Sequence, residues 1–215
     1  MTNKQNVEAI VEKLLTYLKE APIEAASRKD LVQKISWLGE RFAPNQNWYV
    51  KNMNRLFEIG GSEITTDQAN KFLASLSEFE RSDEAEKFRS SVLKIYCKIL
   101  KKSSNIPDAL MQIIAWILGE YGGHPQQSDH SKTQNYLSLI CQVAHGTFEQ
   151  ERTRAAILLA ITKLHANLGF IANEKVEQIM NDYKFSKVIE VQQRALDYWV
   201  LRKGGISQTL LFNTP

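Results

Sequence analysis

Glycine and proline are scarce, with 10 and 5 among 215 residues. A loop-rich or all-β chain draws on both for its turns, so those classes are disfavoured. Cysteine is scarcer still. The two present, Cys97 and Cys141, make no disulfide framework, and each sits inside an apolar helical pattern. Both are expected to be reduced, buried thiols of a cytosolic protein. No sign of charge is in excess: 27 basic and 24 acidic residues leave +3, and the two signs interleave. The basic footprint of a nucleic-acid or membrane-surface binder is therefore lacking. The densest basic pairs, Lys101-Lys102 and Arg202-Lys203, read as solvated helix ends, where cations suit the dipole. No apolar run approaches the ~20 residues that span a bilayer. The longest, Ala109 to Leu118, is far shorter. No signal-type apolar stretch follows Met1-Thr2-Asn3-Lys4. The chain is expected to be soluble and intracellular, with any membrane association made through partners.

What is present is helical periodicity. Val7, Ile10, Val11, Leu14, Leu15 and Leu18 form one stripe, with Asn6 or Thr2 as its cap and Pro22 after it. Leu31, Val32, Ile35, Leu38 and Phe42 form the next, which stops at Pro44 because the residue before proline is driven out of the α region. Asn45 opens a helix carrying Trp48, Tyr49, Met53, Leu56 and Phe57, ended by Gly60-Gly61. Thr65 or Thr66 opens a short helix with Phe72, Leu73 and Leu76, and Asp67 lies in its first turn. Ser82 caps a longer helix from Phe88 to Leu100. The helix after Pro107 runs through Ile113-Ile114-Ala115-Trp116-Ile117-Leu118 and should be buried on nearly all sides.

The stretch His124 to Thr133 is the most polar and reads as an exposed loop. Helices follow around Tyr136–Val143, Glu149–Ala166, Asn173–Tyr183 and Val188–Leu201. Asn167-Leu168-Gly169 reads as a C-cap, and Ser207 starts a last turn with Leu210 and Leu211. No strand alternation is seen. About eleven helices in pairs, with units of roughly 40 residues, fit the armadillo or HEAT pattern of an all-α superhelix. A compact bundle stays open on periodicity alone. The solenoid is preferred because many similar helices recur with one hydrophobic member per pair, and such a unit needs its neighbours to complete its core.

The side chains that carry chemistry all have cheaper explanations. His124, Asp129 and His130 share the polar loop without the third or fourth ligand a metal needs at fixed geometry. His145 and His165 sit near helix C-termini, where a cationic imidazole is favoured. Glu149, Glu151, Asp83 and Glu84 lie near helix N-termini, which accounts for them electrostatically. No phosphate-binding glycine loop is present, and the aromatic residues follow apolar stripes without the period of a base-reading array. We therefore expect no catalytic, cofactor-binding or metal-ligating residue, no cofactor, no nucleic-acid partner and no enzyme activity.

Four strings carry a family resemblance. Trp116-Ile117-Leu118-Gly119-Glu120-Tyr121-Gly122, Val191-Gln192-Gln193-Arg194-Ala195 with Tyr198, Glu40-Arg41-Phe42-Ala43-Pro44 with Trp48, and Ala160-Ile161-Thr162-Lys163-Leu164 resemble strings of the adaptins. These are the large subunits of clathrin-associated adaptor complexes. The strings occur in the family's order, and Leu210-Leu211 to Pro215 resembles the place where the trunk region ends. Asn6-Val7 and the run Asn52 to Gly61 lean toward the epsilon type, with the gamma type next.

The resemblance implies one α-solenoid segment over 1–215, from the middle to C-terminal part of a trunk, with the N-terminal trunk, hinge and ear outside it. It implies a scaffold in vesicle-mediated protein transport. The partners would be a second large, a medium and a small subunit. A small GTPase would act through trunk regions beyond this chain. The site would be cytoplasmic, peripherally on trans-Golgi or endosomal membranes. Trp116 is expected to anchor the core, Gly119 to permit close helix approach, and Arg194 to pair with Glu190 or an adjacent repeat. Two rivals remain: another armadillo or HEAT scaffold, coatomer-like or nuclear transport receptor-like, and a helical enzyme or regulatory subunit with a site in His124–Thr133.

Overall fold

The computed structural model describes residue 3 and residues 5–79, 85–102, 105–123 and 130–204. Ten α-helices and one 3-10 turn, Gly61–Glu63, occur among the described residues, and no strand does. The expected eleventh helix at Ser207–Leu211, the Thr2 and Ser82 caps, and His124 and Asp129 lie outside them. The chain divides into two compact units, residues 1–88 and 89–215.

The first unit holds α1 (Val7–Glu20), α2 (Ala25–Phe42), α3 (Gln46–Gly60) and α4 (Thr66–Phe79). Helix α1 buries Val7, Val11, Leu15 and Leu18, the i, i+4 row of its stripe, against α2 and α3. Asn45 caps α3 by accepting from the Trp48 N–H at 2.9 Å. Gly61, at φ +54°, ends α3 in a conformation that a side chain resists. Thr65 and Gln68 form a reciprocal capping box at the start of α4: Gln68 N–H donates to Thr65 Oγ1, and Thr65 N–H donates to Gln68 Oε1. Phe72 of α4 meets Phe57 edge-on at 5.3 Å and Tyr49 at 5.6 Å. The Arg28 guanidinium donates to the carbonyls of Leu18 and Ile59, satisfying the last turns of both α1 and α3.

The second unit holds most of α5 (Ala85–Lys102), then α6 (Asp108–Tyr121), α7 (His130–Val143), α8 (Glu151–Asn167), α9 (Glu174–Tyr183) and α10 (Ile189–Gly204). Helix α8 is its centre and packs on α6, α7 and α10, while α9 packs on α7 and α10. Contacts between neighbouring helices (α1 with α2, α2 with α3, α7 with α8, α9 with α10) and between helices two apart (α1 with α3, α6 with α8, α7 with α9, α8 with α10) are those expected of an α-solenoid.

Four details depart from expectation. Helix α7 begins at His130, six residues ahead of Tyr136. Its polar first turn is held because buried Thr133 donates to the Gly122 carbonyl at 2.9 Å. Cys141 is buried, but Cys97 is only half-buried. Arg202 is no solvated end group; it pairs with Glu177 at 2.7 Å. Trp116 is half-buried, not a core anchor, although ten of the fourteen α6 residues are buried as expected. The polar and partly exposed residues Asp108, Gln112, Trp116 and Glu120 fall at i, i+4 steps, a single narrow row. Trp116→Ala should therefore cost well under the about 3–5 kcal/mol of a fully buried tryptophan, which thermal melting will read.

Candidate functional site

Two of the four strings meet in space. The row on α6 reaches α8 through Asp108, Gln112 and Glu120, and beside it Gly119 stands where the α6 backbone lies close to α8. A Cβ added to it would lie 3.3 Å from Ala160 Cα and 3.5 Å from Ala160 Cβ. The next residue, Glu120, accepts through its carboxylate from Lys163 Nζ, one turn beyond Ala160 on α8, and only 9% of the Lys163 side chain is exposed. The string around Trp116 and the string around Lys163 are thus two sides of one helix contact, separated by some forty residues of chain. The expected role of Gly119 is borne out. Gly119→Val should push α6 from α8 and cost about 1–3 kcal/mol by overpacking, measured by denaturant melting.

The other end of the row closes on the start of α8. Gln150, at the N-cap, supplies no side-chain cap. The Asp108 carboxylate of α6 replaces it. It accepts from the Gln150 N–H at 2.9 Å, the Glu149 N–H at 3.2 Å and the Thr153 hydroxyl at 2.6 Å. Gln112 Nε2 donates to Thr153 Oγ1 at 2.8 Å and Gln150 Oε1 at 3.1 Å. A carboxylate here satisfies free N–H groups and favours the positive helix end. Sequence reasoning missed this cap; its one signal was a polar row on an otherwise apolar helix.

The third string closes α8 onto α10. Val191, Ala195 and Tyr198 are wholly buried, spaced i, i+4, i+7. Tyr198 stacks on His165 with centroids 5.8 Å apart, and its hydroxyl lies 3.1 Å from His165 Nδ1. His165 Nε2 lies 2.6 Å from the Ile171 carbonyl. A carbonyl only accepts, so Nε2 carries the proton and Nδ1 accepts from Tyr198. The turn that brings Ile171 back uses two positive φ angles, Gly169 at 70° and Phe170 at 52°. The Phe170 ring packs edge-on against both His165 and Tyr198.

His165 is consequently not a cationic helix-end residue. It is 1% exposed, and burial holds its pKa below the ordinary imidazole value. A folded-state pKa below the unfolded one means that the unfolded chain takes up the proton first. Stability should fall as pH drops below about 6.5. Thermal melts between pH ~7 and ~5.5 should show that slope, and His165→Gln should flatten it.

The fourth string ends α2: Glu40 accepts from Ser36 Oγ at 3.2 Å, and the helix stops at Phe42 before Pro44. His145 stacks on Tyr183 with centroids 5.4 Å apart and lies 3.5 Å from Asp182. His130 is exposed at the first residue of α7. Arg194 forms no ion pair with Glu190 among the described residues. Burial pushes the Cys141 thiol up to about 11 and raises Cys97 as well, so both are poor nucleophiles at neutral pH. No cluster of three or more His, Cys, Asp or Glu placed for a metal occurs among the described residues, and no described helix is long and apolar enough to cross a membrane. Gly119, Lys163, Val191, Ala195 and Tyr198 of the matched strings face inward and hold helices at fixed spacing, whereas Glu40 and Arg41 are exposed.

Residues 1–205 match the family described as Adaptin N terminal region. The chain is 28% identical over 199 residues to AP-4 complex subunit epsilon-1 of Homo sapiens, covering 92% of this chain and 17% of the relative. It is 26% identical over 211 residues to AP-4 complex subunit epsilon of Arabidopsis thaliana, covering 94% and 22%. It is 27% identical over 229 residues to AP-1 complex subunit gamma-1 of Schizosaccharomyces pombe, covering 100% and 25%. The chain thus spans a quarter or less of the length of these relatives.

Proposed function

The chain belongs to the adaptin N-terminal region family, and from that premise we propose that it is a non-catalytic scaffold segment of an adaptor-complex large subunit in vesicle-mediated protein transport. The observation that carries this reading is the use made of the family strings. Gly119 against Ala160, Glu120 with Lys163 and Tyr198 with His165 all join helix to helix. Residues spent on interhelical spacing support a stiff surface for assembly and no reaction of the chain's own.

The finer reading is an epsilon-like or gamma-like subunit, taken from the middle to C-terminal part of the trunk. Its partners are a second large, a medium and a small subunit, and a small GTPase acts through trunk regions outside this chain. The assembly sits peripherally on trans-Golgi or endosomal membranes. The lean toward epsilon rests on Asn6-Val7 and Asn52 to Gly61.

Co-expression tests it. The chain is produced with the second large, medium and small subunits of the epsilon-type complex, and separately with those of the gamma type. Co-purification of a stable complex with one set and not the other is the expected result. A lone monomer in both would overturn the assembly reading.

A further inference from the structure

Between α2 and α4, inside the first unit, runs a groove of about 540 Å³ lined by Asp30, Lys34, Trp37, Glu40, Asp67 and Gln68 among others. A second depression of about 280 Å³ shares Glu40 and continues it past Ala43 toward Glu78. From Asp30 to Ala43 the helix rises about 20 Å, the length of about six residues of extended chain.

Three features of this trough point to one kind of occupant. Gln68 is 6% exposed, and its Oε1 is taken up by Thr65. Its Nε2 is buried with no acceptor among the described residues, and Gln68 is one of the residues lining the groove. A buried amide donor left in that state is costly, and a carbonyl entering the groove is the acceptor it lacks.

Trp37 is 51% exposed on the wall, a large apolar surface left to solvent. Its ring already takes the Arg41 guanidinium at 5.5 Å, so it is oriented to receive a cation or its aliphatic stem. The two depressions together carry the carboxylates Asp30, Glu40, Asp67 and Glu78 against the ammonium groups of Lys34 and Lys71. Lys71 is bound to Asp67 at 2.8 Å, which leaves the acids Asp30, Glu40 and Glu78 facing Lys34.

We propose that this groove binds an extended peptide segment of about six residues carrying a basic side chain, its main-chain carbonyl accepting from Gln68 Nε2, its basic stem lying on Trp37 and its cation meeting Glu40. The proposal goes beyond the scaffold reading and does not depend on it, since it concerns the first unit's own surface.

Random heptapeptides with arginine fixed at the centre are selected on the immobilised full chain, beside the same library with glutamate fixed there. The best arginine peptide is then synthesised and its affinity measured by fluorescence anisotropy. The expected result is saturable, salt-sensitive binding from the arginine library only. Trp37→Ala, Gln68→Met and Glu40→Gln should each weaken it by about tenfold, the scale of one contact left unmade. Tyr17→Ala, an exposed aromatic outside the groove, should leave it unchanged. Circular dichroism melts confirm that each variant is folded, and Glu40→Gln, the most conservative, decides the matter if another is not. Equal recovery from the two libraries, no binder from either, or affinity unmoved by the folded groove variants overturns the proposal.

Discussion

Replacing Tyr198 by alanine is expected to lower stability by about 3–5 kcal/mol, the range for a buried aromatic truncated to a cavity. Three losses coincide at this position. The wholly buried ring leaves a void beside His165, Phe170 and Trp199. The stacked His165 loses its partner face. His165 Nδ1 also loses the hydroxyl that donates to it, in a site closed to water. Tyr198→Phe separates these contributions, because it keeps the volume and deletes only the hydroxyl; its cost should be about 1–2 kcal/mol. For a chain of this size 1 kcal/mol moves Tm by about 2–4 °C, so the alanine variant should melt on the order of 10 °C lower. Equal melting of the alanine and phenylalanine variants would show that packing at α10 contributes nothing.

Removing the Glu120 carboxylate should cost about 3 kcal/mol, as when one partner of a buried ion pair is deleted. The two ends of this pair are not equivalent. The Lys163 side chain is 9% exposed and the Glu120 side chain 24%. Glu120→Ala strips a buried ammonium of the carboxylate it meets, with little water to replace it. Lys163→Met removes the buried charge itself and leaves an apolar chain of similar length, while Glu120 keeps access to solvent. Glu120→Ala should therefore destabilise clearly more than Lys163→Met, and the double variant should recover part of the loss. Denaturant unfolding of the three variants measures this. Equal effects of the two single substitutions would place the pair at the surface.

Both experiments probe strings that the family resemblance picked out without revealing what they touch. In sequence, Glu120 is simply the residue beside Gly119, whose expected role is close helix approach. That its partner is Lys163, and that Ala160 is the surface Gly119 approaches, follows only from the crossing of α6 and α8. The same holds for His165. In sequence it is a basic residue in the last turn of a helix, where local electrostatics favours a cation. The fold overrides that preference by laying α10 across it, and burial makes the neutral imidazole the stable form. Trp116 shows the opposite error: an aromatic within an apolar run reads as core, yet it lies on the polar, partly exposed row of α6.

By itself, the sequence determined the helical class, where most helices end, the cap at Asn45 and the choice of Thr65 or Thr66 for α4, and the family, because these depend on interactions within a few residues or on ordered strings along the chain. Only the tertiary structure decided which helix covers each apolar face, that Asp108 caps α8 from another helix, that Cys97 is half-covered, and that Trp37 and Gln68 share a groove. Those outcomes depend on contacts between residues thirty or more positions apart, and periodicity along one helix contains no information about which neighbour will lie against it.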